Sequence, residues 1–152
     1  MSVPKDGAQK GMPVGHTLRS LWANDGNWLP RVLVAEDDDE LRYLIKHTLQ
    51  REGFRVIEAR DGIELLEQAA QICEDDGAPP EILLTDVRMP GCTGIEALSI
   101  LRDCLPGTAI LVLTAFSDED IKRAAGEVGA IGVMDKPFDL EALRDAVTAL
   151  LR

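Results

Sequence analysis

From residue 31 onward, short apolar runs alternate with longer segments in which apolar residues recur every three or four positions. Four runs are rich in β-branched residues and bounded by polar or turn residues, which predicts buried strands at 32–35, 82–85, 109–114 and 131–134. Segment 54–59 alternates apolar and polar side chains, as a less covered edge strand does. The segments between them predict five amphipathic helices. Neighbouring parallel strands need a crossover connection, which a helix supplies, so the pattern predicts an α/β fold with a doubly wound, five-stranded parallel sheet.

Turn and capping residues predict the limits of the helices. Gly53 is placed to end the first helix, and Pro106-Gly107 and Gly129 mark later stops. Ser117 with Asp120 forms an S-x-x-D start for the fourth helix, and Asp139 can cap the fifth.

Residues 1–30 differ in composition from the rest of the chain. They are interrupted too often for a long regular element, by Gly7, Gly11, Pro13, Gly15 and Gly26, which predicts a flexible N-terminal extension followed by one folded domain at 31–152. Both tryptophans, Trp22 and Trp28, lie in this extension. Two interpretations of the extension stay open. In the first it is a loosely packed tail or an artefact of where the chain starts. In the second it forms a dimer or partner contact.

The chain is acidic, with 27 Asp and Glu against 16 Lys and Arg and a net charge of -11. This balance argues against a nucleic-acid surface and favours metal cations as partners. No apolar run approaches the ~18 residues of a membrane span and no signal peptide is visible, so we expect a cytoplasmic protein without membrane contact. Cys73, Cys92 and Cys104 show no C-x-x-C spacing and are interpreted as reduced packing thiols. A redox role for Cys92 is the weaker alternative, since no neighbouring Lys or His favours a thiolate.

Acids, a hydroxyl and an amine follow four of the predicted strands. Glu36 and Asp37 come after the first strand, Asp86 after the third, Thr114 ends the fourth and Lys136 follows the fifth. Ligands of doubly wound sheets bind outside the carboxyl ends of the strands, so these groups should converge. Two carboxylates ~5 Å apart repel by roughly 3 kcal/mol at an effective dielectric constant near 20. A hard divalent cation, Mg²⁺, relieves this repulsion.

Glu36, Asp37 and Asp86 are therefore the predicted Mg²⁺ ligands, because such a cation prefers oxygen donors. Asp38, Asp39 and Glu40 belong instead to the first turn of the following helix, where acids favour the helix dipole. Lys136 and Thr114 complete a site for a phosphoryl-sized anion. Asp86 stands alone after an uncharged strand and is the candidate nucleophile, since an aspartate can hold a phosphoryl group as an acyl phosphate.

Four segments resemble the receiver domain of two-component response regulators: VLVAEDDDELR, ILLTDVRMPGCTGIEAL, ILVLTAFSDED and GAIGVMDKPFDLEAL. The resemblance covers about four-fifths of the chain and leaves out only the first thirty residues. It implies a flavodoxin-like (βα)₅ fold with strand order 2-1-3-4-5. It also implies a phosphoacceptor switch that catalyses its own phosphorylation and dephosphorylation and turns over no metabolite.

By position, the resemblance implies that Asp86 accepts a phosphoryl group from the phosphohistidine of a sensor histidine kinase or a histidine phosphotransfer protein. Asp37 would bind Mg²⁺ directly and Glu36 mostly through water, with the backbone carbonyl of Arg88 as a further ligand. Thr114 matches the switch hydroxyl and Lys136 the lysine that pairs with the phosphate. Ala115 is the small residue that leaves the phosphate room, and Lys136-Pro137 is similar to a peptide bond that is cis in the family.

The resemblance also implies how the switch is tuned and read. Arg88 and Phe116 match positions that set phosphoryl lifetime: Arg88 could shield the phosphate or project into water, and Phe116 could restrict water access or pack on a partner. Val133 stands where the family has a switching aromatic residue, so the switch here would rely on loop movement, a backbone shift or the fourth helix. A downstream protein would bind the face of the fourth helix, fifth strand and fifth helix, and a homodimer is possible.

The site residues are also compatible with other interpretations. A stand-alone receiver and a receiver cut from a longer regulator are both open. A Mg²⁺-dependent phosphohydrolase of haloacid-dehalogenase type also uses an Asp nucleophile, but in a D-x-D motif after the first strand, where Glu36 occupies the first position, and the chain lacks a cap domain. A degenerate receiver serving only as an interaction module is opposed by the intact set Asp37, Asp86, Thr114 and Lys136.

Overall fold

The short apolar runs form the strands of one sheet in the computed structural model, which describes residues 29–115 and 118–151. All neighbouring strands are parallel and their order is β2-β1-β3-β4-β5, which confirms the predicted doubly wound sheet. Observed strand limits differ from the predicted ones by a single residue at most. The strands are β1 (Arg31–Ala35), β2 (Arg55–Ala59), β3 (Ile82–Asp86), β4 (Ala109–Thr114) and β5 (Gly132–Asp135).

One helix follows each strand. The five are α1 (Asp39–Arg51), α2 (Gly62–Asp76), α3 (Gly94–Leu101), α4 (Glu119–Glu127) and α5 (Leu140–Ala149), with a 3₁₀ turn at Arg102–Cys104. Asp38 caps α1 and Asp139 caps α5 through their side chains. The predicted start of the fourth helix was wrong, because Asp118 is the N-cap of α4 and accepts the amide of Ile121. Ser117 itself lies outside the described residues, as do residues 1–28 of the predicted extension, with both tryptophans, and Phe116.

Alternate side chains of the strands supply two apolar cores, one on each face of the sheet. Val32 and Val34 of β1 pack on the side of α1 and α5, whereas Leu33 and Ala35 pack on the side of α2, α3 and α4. Because both faces are covered, the central strands β1, β3 and β4 carry apolar residues on both faces rather than alternating apolar and polar ones.

The two edge strands are less covered. β2 is half-buried along most of its length, as its alternating pattern predicts. β5 was predicted as a buried strand, but it forms the other edge: Gly132, Val133 and Met134 are half-buried, and Ile131 just before it is 59% exposed. A strand with a single neighbour in the sheet receives less cover from the helices than a central one does.

A buried guanidinium closes the amino end of β1. Arg31, 6% exposed, donates to the carboxylates of Asp76 and Glu81 at 2.7 and 2.9 Å and to the carbonyls of Ala78 and Pro79 at 3.2 and 2.6 Å. These contacts attach the connection between α2 and β3 to the central strand. They lie at the end of the sheet opposite the carboxyl ends of the strands.

All three cysteines are free, but Cys73 is half-buried and Cys104 is exposed, so the packing interpretation is wrong for Cys104. Cys92 is buried, and burial raises the pKa of its thiol. A raised pKa leaves less of the reactive thiolate, which supports the packing interpretation. Among the described helices, none is long and apolar enough to cross a membrane.

Candidate functional site

Three carboxylates meet at the carboxyl ends of β1 and β3. Glu36 and Asp37 follow β1, and Asp86 is the last residue of the neighbouring β3. One oxygen from each carboxylate lies within 4.8 Å of one from the others. Glu36 and Asp86 are buried, at 0% and 6% exposed, whereas Asp37 faces solvent. The predicted convergence of these three residues is thus present in the structure.

Lys136, the residue directly after the edge strand β5, contacts two of these acids. Its ammonium lies 2.6 Å from Glu36 Oε1 and 2.8 Å from Asp86 Oδ2. Its backbone N–H donates to the carbonyl of Thr114 at 2.7 Å, which fixes the loop after β5 against the end of β4. The peptide bond between Lys136 and Pro137 is cis, as the resemblance implies.

Burial and hydrogen bonding act in opposite directions on the acid and the amine. Burial raises the pKa of Glu36 to about 7, although hydrogen bonds from Lys136 and from the amide of Asp38 lower it. Burial lowers the pKa of Lys136, but its hydrogen bonds to Asp86 and Glu36 outweigh this and raise it above the ordinary value. Lys136 is therefore an ammonium at neutral pH.

The charge of this cluster fits a hard divalent cation. Lys136 contacts two of the three carboxylates and carries one positive charge, so ionising all three leaves these four side chains with a net negative charge. The donor set consists only of oxygens, which Mg²⁺ prefers. Burial, and to a smaller extent repulsion from Asp86, raises the pKa of Glu36, and a bound cation would favour its ionised form. Glu36, Asp37 and Asp86 could therefore hold Mg²⁺.

Backbone contacts fix the loop that begins at Asp86. The amide of Arg88 donates to Asp86 Oδ1 at 3.2 Å, and the Thr85 hydroxyl donates to the Asp86 carbonyl at 3.1 Å. A Cβ on Gly94 would lie 1.9 Å from that carbonyl oxygen, so the start of α3 can approach only as glycine. This explains the glycine eight residues after Asp86 in the segment ILLTDVRMPGCTGIEAL.

Gly62 is a second close approach, which the sequence reasoning missed. A Cβ there would lie 1.9 Å from the carbonyl oxygen of Cys92, so α2 packs with its first residue against the loop after β3. The available signal was a glycine directly after the capping residue Asp61, a position where glycine has no advantage within the helix itself.

The remaining predicted site residues surround the carboxylates. Thr114 is buried at the end of β4, while Ala115 is exposed and lines a cleft of about 360 Å³ together with Lys136. Arg88 is exposed, and with Asp37 it lines a second depression. Val133 is half-buried in β5 and packs against the core on the α4 side. Phe116 lies outside the described residues.

Comparison with known proteins gives the family. The sequence profile of the response regulator receiver domain matches residues 32–148. The chain belongs to this family. Receivers are phosphoacceptor switches of two-component systems rather than classical enzymes. They bind Mg²⁺ in an acidic pocket and interact with histidine kinases or phosphotransfer proteins. The findings give no support to the haloacid-dehalogenase alternative.

Individual relatives cover most of this receiver. Sporulation initiation phosphotransferase F of Bacillus subtilis is 27% identical over 121 residues, which are 80% of this chain and 93% of that protein. The transcriptional regulatory protein CpxR of Escherichia coli is 39% identical over 123 residues, 80% of this chain and 49% of CpxR. The structure of the Vibrio cholerae chemotaxis protein CheY4 has a TM-score of 0.73 and 32% identity, and the match covers 81% of this chain and 99% of CheY4.

Some relatives are much longer than the matched region. A cyclic di-GMP phosphodiesterase of Thermotoga maritima is 36% identical over 121 residues, but the match spans only 31% of it, and about half of CpxR is matched. The similarity to these two proteins therefore concerns the receiver region, and their other activities do not carry over.

Proposed function

We propose that Asp86 is the phosphoacceptor and takes its phosphoryl group from the phosphohistidine of a sensor histidine kinase or a histidine phosphotransfer protein. A carboxylate oxygen of Asp86 attacks phosphorus, the P–N bond to the imidazole breaks, and an aspartyl phosphate remains. Attack of water on phosphorus later returns the carboxylate and inorganic phosphate. The observation that carries this proposal is a buried aspartate in contact with an ammonium and next to two further acids.

Glu36, Asp37 and Asp86, with the backbone carbonyl of Arg88, would hold Mg²⁺. When bound, this cation neutralises negative charge that develops on the phosphoryl oxygens during transfer. The oxygen-only donor set and the excess of carboxylates over ammonium groups support this assignment. Asp37 is the exposed member of the set, which suits direct ligation by an ion that enters from solvent.

Lys136 is the second source of positive charge. Its ammonium already contacts Asp86, so a phosphoryl group on that side chain would lie within its reach. Glu36 is its other partner and keeps the amine directed into the site. Ala115, with a single methyl group beside the same cleft, leaves space for the phosphoryl oxygens.

The switch is proposed to run through Thr114. Its hydroxyl would move toward the phosphoryl group and carry the loop between β4 and α4 with it. Val133, in place of an aromatic residue, offers no ring to swing, so the face of α4, β5 and α5 would change through the loop and the helix. A downstream protein would bind that face. Arg88 and Phe116 are proposed to set how long the phosphoryl group persists.

Intact-mass measurement with acetyl phosphate and Mg²⁺ tests the central assignment. The wild-type chain should gain one phosphoryl group and Asp86→Asn none. Asp38→Asn is the matched control, because it removes an acid from the same edge of the sheet while asparagine preserves the helix cap, and it should be labelled like the wild type. Equal labelling of Asp86→Asn and wild type would remove Asp86 from its proposed role.

A further inference from the structure

Arg42, on α1, carries a second buried guanidinium, which lies beside the acid cluster. Arg42 is 9% exposed, and its side chain reaches three places in the fold. Nη1 donates to the backbone carbonyl of Glu36 at 2.8 Å, Nη2 to Asp39 at 2.6 Å, and Nε to Glu58 on the edge strand β2 at 3.1 Å. None of these three contacts is to the carboxylate of Glu36, Asp37 or Asp86.

The contact with Glu36 fixes the backbone from which two site carboxylates project. The Glu36 amide donates to the carbonyl of Ala59 at 3.0 Å, so its N–H is bound to the neighbouring strand. Its carbonyl belongs to the peptide that joins Glu36 to Asp37 and receives the buried hydrogen bond from Arg42. Rotation of this peptide would move both carboxylates relative to Asp86, and a buried carbonyl without a donor is unfavourable.

We propose that Arg42 is a positioning residue for the divalent-cation site: it holds the Glu36–Asp37 peptide in the orientation that directs both carboxylates toward Asp86. This inference rests on the proposed function, in which Glu36 and Asp37 bind Mg²⁺. Arg42 does not contact the ion or the phosphoryl group and acts only through the loop.

Charge and anchoring predict opposite effects on cation binding. Arg42 is a cation close to the site, so by Coulomb repulsion alone its removal should strengthen Mg²⁺ binding. Its removal also frees the Glu36–Asp37 peptide, which should weaken binding. Loss of a group that orients metal ligands commonly costs 10- to 100-fold in affinity. The sign of the change therefore distinguishes the two roles.

The test is calorimetric titration of the full chain with Mg²⁺ alone, without a phosphodonor. Arg42→Met is expected to bind Mg²⁺ about 10-fold more weakly than the wild type. Lys46→Met is the matched control, because Lys46 also pairs with Glu58, at 3.0 Å, and carries the same charge on the same helix. That control should bind Mg²⁺ as tightly as the wild type or more tightly. Arg42→Met binding at wild-type affinity or tighter would overturn the proposal.

Arg42→Lys separates the anchor from the charge and remains available if the methionine variant does not fold. Lysine keeps the positive charge but lacks the planar fork that donates in three directions at once. Weaker Mg²⁺ binding is expected here too, with faster hydrogen exchange at the amides of Asp37 and Asp38 in the metal-free protein than in Lys46→Met. Wild-type Mg²⁺ affinity in Arg42→Lys would refute the anchoring role.

A general loss of stability is controlled with Val147→Ala, which removes buried apolar contacts on α5 without touching the site loop. It should be less stable but bind Mg²⁺ like the wild type. Labelling by acetyl phosphate keeps the two proposals apart. If Asp86→Asn is labelled like the wild type, the proposed function fails. If Asp86→Asn is not labelled but the Arg42 variants bind Mg²⁺ as tightly as the wild type, only the positioning role fails.

Discussion

Glu36 offers a direct test of the electrostatics of the site through the substitution Glu36→Gln. The side chain is fully buried, and its two oxygens accept hydrogen bonds from Lys136 and from the amide of Asp38. Burial nevertheless raises its pKa to about 7. The metal-free protein should therefore become less stable as this carboxyl ionises, and the glutamine variant should not show that loss.

The magnitude follows from linkage between proton binding and folding. In the unfolded chain the carboxyl titrates near its ordinary value of 4.5, and in the folded chain near 7. Between these two pH values the folded state binds more protons than the unfolded state. The stabilising contribution of the protonated Glu36 is therefore fully present below the unfolded pKa and is lost as pH rises through the folded pKa. At roughly 1.4 kcal/mol per pH unit, the gap between the two values corresponds to about 3 kcal/mol.

Urea unfolding in EDTA at pH values from 4.5 to 8 measures the free energy of unfolding of the wild type and of Glu36→Gln. Glutamine cannot accept both hydrogen bonds, which adds a pH-independent cost of about 1 kcal/mol, so only the change of the difference with pH is informative. The stability of wild type relative to Glu36→Gln should fall by about 3 kcal/mol across the range. Saturating Mg²⁺ should reduce this fall, because a bound cation favours the ionised carboxylate. A difference that stays constant with pH in EDTA would refute the reasoning.

Three further outcomes are expected. Gly94→Ala should destabilise by roughly 3 kcal/mol in urea unfolding because its Cβ overlaps a backbone oxygen, whereas Gly126→Ala on α4, where a Cβ meets nothing, should stabilise by roughly 0.5–1 kcal/mol. Arg31→Met should cost roughly 3 kcal/mol because it leaves acceptors of a buried network unpaired, and the exposed Arg60→Met should change little in the same assay. Lys136→Ala should keep Mg²⁺ binding but lose the phosphorylation-dependent NMR shifts of α4; a preserved response would contradict its role.

The positions of the strands could be predicted because their apolar runs are unambiguous, but the extent to which each strand is buried could not. Segment 131–134 has no charged or polar side chain, like the apolar run of a central strand, yet β5 has one neighbour and is only half-buried. Which strand lies at an edge depends on the order of strands in the sheet, and a local run of residues does not encode that order. The start of α4 was misplaced because Ser117 and Asp118 are both good capping residues and adjacent.

The meeting of the site residues could also be predicted, because parallel strands bring their carboxyl ends to one edge. The detailed contacts could not. Lys136 is 100 residues from Glu36, and its bridge between two acids depends on side-chain packing after folding. Arg42 has the sequence context of a solvated helix residue, whereas the structure places it in a buried network with the site loop.

The two buried ionic groups at opposite ends of β1 differ in what they leave unsatisfied. At the amino end, the guanidinium of Arg31 donates hydrogen bonds to carboxylate and carbonyl acceptors within the chain, so its charge is balanced on folding. At the carboxyl end, Lys136 is shared between two carboxylates and a third lies nearby, so negative charge remains in excess. The side chains of Glu36, Asp86, Asp37 and Lys136 do not balance this charge among themselves, and a bound cation would. On the proposed binding of Mg²⁺, the free energy that Glu36 costs in the metal-free state would be recovered, which would couple the stability of the receiver to the occupancy of its site.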